Sequence, residues 1–183
     1  MVEPLLGILL IADPFLKDIH FSRTVILLTD HQTEGSIGFV LNKLFDKKLN
    51  ELIEGFDDVD IPVYFGGPVQ TDTINFIHQY PSEIIGGVEI IPGIFWGGNF
   101  KKVAFLLNNN LIDIQKVKFF IGYSGWGNMQ LKNEIKEKTW LTVKANKKLI
   151  FNTQIDIIWK NSLQHLGGQF VHLINYPIDP KLN

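Results

Sequence analysis

The chain has 183 residues, of which 45% are apolar and 20% charged, enough for one soluble domain with a sizeable core. It contains no cysteine, which excludes disulfides, thiolate chemistry and every cysteine-based zinc site. The net charge of −2 hides a split: residues 1–98 carry −9 and residues 99–150 carry +7, a basic segment that could serve as a footprint for a polyanion. The lysines of that segment lack interleaved arginines and any nucleic-acid motif. A solvated face opposite an acidic half is the simpler reading, and nucleic acid is not the favoured partner.

In chain order, Leu5 to Ala12 reads as a buried strand. It has no basic lead-in and no small-residue cleavage site, so it is not read as a signal peptide. No apolar run reaches the ~20 residues of a membrane span, and a cytoplasmic protein without a membrane partner is expected. Thr24–Thr29 and Ile37–Leu41 read as an antiparallel pair joined by the turn-rich loop Asp30–Ser36. Leu49–Gly55 reads as a short helix. Pro62–Phe65 is an apolar run stopped by Gly66-Gly67-Pro68. Ile74–His78 and Val88–Ile91 are further strands. Asn99 reads as an N-cap for a helix carrying Phe100, Val103, Ala104 and Leu107, ended by Asn108-Asn109-Asn110.

Val117–Tyr123 is a strand, Met129–Lys138 a helix with Leu131 and Ile135 inward, and Trp140–Val143 a strand. Thr153 and Asp156 resemble a capping box for the stripe Ile155, Ile158, Trp159, Leu163 and Leu166, which Gly167 ends. Residues 167–183 are expected to form an extended tail. No repeat or linker divides the chain. The mixture of hairpins and helices predicts one α+β domain spanning 1–183.

The stretch Gly122-Tyr123-Ser124-Gly125-Trp126 follows a strand and precedes a helix, the context of a nucleophile elbow. The G-x-S-x-G pattern is not met, however, because its second glycine arrives one residue early. Ser124 therefore reads as a turn hydroxyl, although a triad with His31 or His78 is conceivable. Those two histidines are candidate bases or ligands without a recognised spacing. Gly66-Gly67-Pro68 lacks the features of a phosphate loop or dinucleotide fingerprint. Neither metal nor cofactor is expected. Gly97-Gly98-Asn99 could hold an anion at a helix N-terminus, but a capped loop is the simpler reading. Tyr123, Trp126 and Phe95-Trp96 could line a pocket, with core packing the default.

Arg23 is the only arginine beside sixteen lysines. A lone arginine in so lysine-rich a chain points to a bidentate grip on a carboxylate or phosphate, which lysine cannot supply. Asp18 is its candidate internal partner, and a structural Arg–Asp clamp, or chance, is a simpler reading than ligand binding, since fork geometry serves internal carboxylates equally well.

Taken together, these stretches resemble one family. Gly122-Tyr123-Ser124-Gly125-Trp126 with Gln130-Leu131, Glu134 and Trp140-Leu141 looks like the C-terminal signature of the bacterial AlgH/YqgE family. Leu9–Pro14, Asp18, Phe21, Arg23-Thr24-Val25, Asp30-His31, Gly35, Gly38 and Leu41-Asn42-Lys43 agree in order and spacing, as do Gly66-Gly67-Pro68-Val69 and Ile77-His78. The resemblance covers roughly residues 5–165. It departs at Leu44, where the family usually has proline, and at Met129, where it usually has glycine.

The resemblance implies an α+β fold with a small closed β-barrel surrounded by helices. Members are commonly labelled transcriptional regulators or left uncharacterised, so it transfers no catalytic residue. The expectation is a non-enzymatic binding or regulatory module with a small-molecule or protein partner. A hydrolase using Ser124 or a histidine and a nucleic-acid binder are the alternatives. Candidate ligand-binding residues are Asp18, Arg23, His31, Asn42, His78, Ser124 and Trp126.

Overall fold

The computed structural model describes residues 6–56 and 59–176. Its strands are β1 (Ile8–Ala12), β2 (Val25–His31), β3 (Gly35–Val40), β4 (Leu44–Lys48), β5 (Pro62–Phe65), β6 (Val69–His78), β7 (Val88–Ile91), β8 (Ile94–Trp96), β9 (Val117–Gly127) and β10 (Trp140–Lys144). Its helices are α1 (Leu49–Leu52), α2 (Phe100–Asn108), α3 (Gln130–Lys136), α4 (Lys147–Ile150) and α5 (Ile155–Leu166), with 3-10 segments at Ile114–Lys116 and Gly168–Asn175. The sheet runs β10-β1-β2-β3-β9-β6-β8-β7, and β4 and β5 branch from it through a parallel β5–β9 pairing.

Every residue of β1 is buried, because both faces of this part of the sheet are covered. Side chains alternate between faces along a strand. Leu9 and Ile11 join Val25 and Leu27 in a core roofed by α5, and Ile8, Leu10 and Ala12 join Ile26 and Leu28 in a core closed by Leu131 of α3. A third core gathers Phe56, Phe76, Val103 and Phe119 beneath α2.

The spine of the fold is β9. Its Val117–Ile121 half pairs with β6, Phe119–Ile121 also pairs with β5, and Ser124–Gly127 pairs with β3. The change of neighbour falls at Gly122, whose φ is +65°. A Cβ there would collide with the Gly67 carbonyl oxygen. Gly66-Gly67 and Gly122 thus mark a backbone-to-backbone crossing that only glycine admits.

Several expectations are corrected. The sheet is not a closed barrel: its path ends at β10 and β7, which do not pair. The handover along β9 leaves these two ends on separate halves. The strand-to-helix turn at Ser124 is also absent, because β9 continues to Gly127 and places Ser124 opposite Gly38. The helix expected over Leu49–Gly55 stops at Leu52.

The capping box at Thr153 does not form. Gln154 is the N-cap and makes no side-chain bond, while Asn152 Oδ1 accepts from the Gln154 N–H at 2.9 Å and takes over the turn. Gly168–Asn175 is 3-10 helix rather than extended. The rest of that tail, like Leu5 of the first strand, lies outside the described residues. The Asn99 cap forms as expected, its side chain accepting from Lys102 N–H at 3.0 Å.

Candidate functional site

Arg23 lies on the loop entering β2, with φ +54°, a left-handed conformation unfavourable for a bulky side chain. The surrounding residues enforce it. Asn42 spans the loop, its Nδ2 donating to the Arg23 carbonyl at 2.9 Å and its Oδ1 accepting from Val25 N–H at 2.8 Å. Lys43 Nζ donates to the carbonyls of Ile19 and His20 at 3.0 and 2.8 Å. The guanidinium carbon sits 4.6 Å from the Trp159 ring centroid, and Trp159 is itself anchored by an indole N–H donated to the Ala12 carbonyl at 2.9 Å. One arm of the guanidinium donates to the Tyr176 carbonyl. A guanidinium has five N–H donors, so donors remain for a cleft of about 600 Å³ lined by Arg23, Asn42, Asp156, Trp159, Lys160 and Tyr176.

Asp18 is not the partner of Arg23. Its carboxylate accepts from the backbone N–H groups of His20 and Phe21 at 2.8 and 3.1 Å, tying the turn that presents the arginine. Of the candidates, the structure brings Arg23 and Asn42 together at the cleft, with Asp18 supporting their loop.

The other candidates lie elsewhere, Ser124 and His78 holding backbone and His31 and Trp126 holding other side chains. Ser124 is fully buried and donates its hydroxyl to the Gly66 carbonyl at 3.0 Å. His78 is fully buried, with Nδ1 accepting from Tyr80 N–H at 3.1 Å. That acceptance places the proton on Nε2, which donates to the Gly97 carbonyl at 3.0 Å. Burial holds His78 below the ordinary histidine value, against the Gly97 bond and the charge of Glu83. His78 faces Val117, seven residues along β9 from Ser124, a separation on the order of 20 Å at ~3.3 Å per residue. His31 Nδ1 instead meets Ser36 Oγ at 2.7 Å. Neither histidine forms a catalytic pair with Ser124.

Trp126 belongs to a polar rivet. Glu134 Oε2 accepts the indole N–H of Trp126 at 2.8 Å and that of Trp140 at 2.7 Å, while its Oε1 accepts Gln130 Nε2 at 2.9 Å. Gln130 Oε1 in turn accepts Gly127 N–H at 3.0 Å. The Gly-Tyr-Ser-Gly-Trp signature is therefore architecture: a glycine crossing, a buried hydroxyl tie and two tryptophans pinned to one carboxylate.

One residue that sequence reasoning missed is Lys118, only 4% exposed as the second residue of β9. Its Nζ donates to the carbonyls of Leu41 at 2.9 Å and Ile150 at 3.2 Å and lies 3.9 Å from the Tyr64 ring centroid. Burial pulls its pKa down to about 7, although carbonyl acceptors and a ring face favour an ammonium. Burial also raises Tyr64, which keeps its phenol neutral. Lys118 and Tyr64 line a cavity of about 210 Å³ whose other walls include Ile61, Val117 and Phe151. The signal was present: a lysine within the apolar run Val117–Ile121, in a strand covered on both faces, has to be buried.

Comparison with known proteins agrees with this architecture. The chain is 42% identical over 177 residues to a UPF0301 protein of Chlorobaculum tepidum, covering 97% of this chain and 95% of that one. It is 38% identical over 184 residues to a UPF0301 protein of Bacteroides thetaiotaomicron, covering 100% and 93%. The solution structure of AlgH from Pseudomonas aeruginosa superposes with a TM-score of 0.73 at 26% identity over 93% of each chain. A crystal structure of a Corynebacterium diphtheriae protein shares the fold, with a TM-score of 0.81 at 18% identity over 96% of this chain and 94% of that one. The AlgH-like family model matches residues 9–171, which include the glycine crossing, the Glu134 rivet and the Arg23 loop, and the chain belongs to that family.

Proposed function

We propose that this AlgH-like chain is a cytoplasmic, non-catalytic binding module that recognises a small molecule bearing a carboxylate or phosphate group in the Arg23 cleft. Any regulatory effect on transcription is then indirect, exerted through that ligand or a protein partner. The observation that carries the reading is the held arginine. A strained backbone, a clamping asparagine and a stacked tryptophan fix the guanidinium at the wall of an open cleft beside Lys160, the kind of preorganised fork that suits planar anions. Strain of this kind clusters at ligand sites.

The alternatives have less support. A hydrolase would need a base within reach of Ser124, whose hydroxyl is already engaged by the Gly66 carbonyl. For nucleic acid, the lysines of residues 99–150 are exposed apart from Lys118, but they ride on elements packed over three different cores, which argues against one continuous basic stripe.

The test is titration of the 15N-labelled protein with citrate and with pyrophosphate, following the Trp159 indole resonance. We expect saturable shifts in the wild type that Arg23→Lys abolishes while the rest of the spectrum stays unchanged. Equal shifts in both proteins, or none in either at millimolar ligand, would overturn the reading.

A further inference from the structure

We propose that the cavity at Lys118 is a covalent capture site for small apolar aldehydes, with Nζ as the nucleophile. The inference concerns a different place in the fold from the Arg23 cleft and goes beyond the binding reading. Three observations carry it. First, Lys118 is the one charged side chain among the buried described residues. Burying a cation is unfavourable, and an apolar residue of similar length would fill the position without that penalty. Second, Lys118 lines a cavity of about 210 Å³ together with Tyr64, over whose ring its Nζ sits at 3.9 Å from the centroid, and that cavity is larger than the ~150 Å³ cavity that accepts benzene in an engineered protein core. Third, the cavity walls contributed by Ile61, Pro62, Ile114, Val117 and Phe151 are apolar. They admit a short hydrocarbon chain, and the one carboxylate of the lining, Asp60, is paired with Lys48. Desolvation at this site leaves a large neutral fraction of the amine at physiological pH, the form that attacks a carbonyl.

The step needs no co-reactant beyond the aldehyde. The Nζ lone pair bonds to the carbonyl carbon, and the C=O π pair moves to oxygen. A proton passes from nitrogen to oxygen, giving a carbinolamine. Loss of water, with the nitrogen lone pair closing the C=N bond, gives an imine. One amine and one aldehyde yield one imine and one water, without oxidation or reduction. Tyr64, which lines the same cavity, stays neutral.

The experiment traps the imine in the intact, full-length wild-type protein. Butanal and sodium cyanoborohydride are added near neutral pH, and the alkylated lysines are located and timed by peptide mapping. An exposed lysine of ordinary pKa is neutral in only about one molecule in 2,500 at pH 7, whereas an amine with a pKa of about 7 is half neutral. Allowing for lower nucleophilicity and restricted entry, Lys118 is expected to react about tenfold or more faster than Lys132 or Lys160. Its rate should level off just above neutral pH. Pyrene carboxaldehyde, too large for the cavity, should show no preference for Lys118. Uniform labelling of exposed lysines with Lys118 unmodified, or labelling of Lys118 only after denaturation, would overturn the proposal. Because the readout is on wild-type protein, no variant has to fold, and the Arg23 titration is unaffected by either result.

Discussion

Replacing Lys118 by Met keeps the length of the side chain and removes its titration, so the pair of proteins isolates one linkage. In the folded protein Lys118 loses its proton near 7, whereas in the unfolded chain it holds it until about 10.5. Between those values the unfolded state binds more protons, so this residue makes wild-type stability rise with pH. Below about pH 7 the full penalty for the buried ammonium applies, and above about pH 10.5 none does. Evaluating the two titrations between about pH 6 and pH 10 gives a gain of about 4 kcal/mol for wild type relative to Lys118→Met. The variant also leaves the Leu41 and Ile150 carbonyls without their donor, a loss of about 1–3 kcal/mol that does not vary with pH. The slope of the difference, not its offset, is therefore the observable. Urea unfolding followed by tryptophan fluorescence across this range measures it. A wild-type-minus-variant difference that is flat, or that falls with pH, would refute the account of a strongly desolvated lysine.

Other outcomes follow from the ties described above. Met129 sits at φ +61° and is 53% exposed, so Met129→Gly should relieve a left-handed strain and stabilise the protein by about 0.5–1 kcal/mol after the flexibility glycine adds to the unfolded chain; a lower melting temperature would contradict this. Glu134→Ala leaves two indole donors without their charged acceptor and should cost about 3 kcal/mol, with Glu134→Gln milder, both read by denaturant unfolding together with the near-ultraviolet dichroism of Trp126 and Trp140. Ser124→Ala should cost only about 1 kcal/mol, because the Gly66 carbonyl still accepts from Val40 N–H at 3.0 Å, and should leave citrate or pyrophosphate binding unchanged. Loss of that binding in a folded Ser124→Ala protein would restore Ser124 as a functional group.

Strands buried on both faces were legible because they are short apolar runs between turn formers, as in β1, β2 and β5. β4, Leu-Phe-Asp-Lys-Lys, was not, since it is largely exposed and paired along one edge and so carries no hydrophobic period. β8 spans only three residues, too short to signal a strand beside Gly97-Gly98. The length of β9 was hidden by its own glycines: Gly122, Gly125 and Gly127 read as a turn, yet all three lie within the strand, and Gly122 lets β9 pass Gly67 at backbone distance. Arg23 stood out by composition alone, but its true neighbour, Trp159, lies far along the chain, whereas the nearby Asp18 was the natural and mistaken partner. Lys118 was lost in the opposite way, absorbed into a lysine-rich segment whose other members are solvated.

The side chains that most resembled chemistry, Ser124, His78 and Trp126, spend their polar atoms on internal ties: Ser124 on the Gly66 carbonyl at the crossing, His78 on Tyr80 N–H and the Gly97 carbonyl, and Trp126 on Glu134 of α3. Two cations, Lys118 and Arg23, are roofed by the C-terminal layer. Lys118 bonds to the last carbonyl of α4, and Arg23 stacks on α5 and donates to Tyr176 just beyond the 3-10 segment. That layer packs on the sheet mainly through the apolar stripe of Ile158, Trp159 and Leu163. The sheet and its glycine crossing thus supply rigidity, while the helices closing over it cover a half-buried arginine on one side and a buried lysine on the other. This division of labour explains how a signature so rich in Gly, Ser and Trp can be wholly architectural, while the two cations that the helices cover lie outside it.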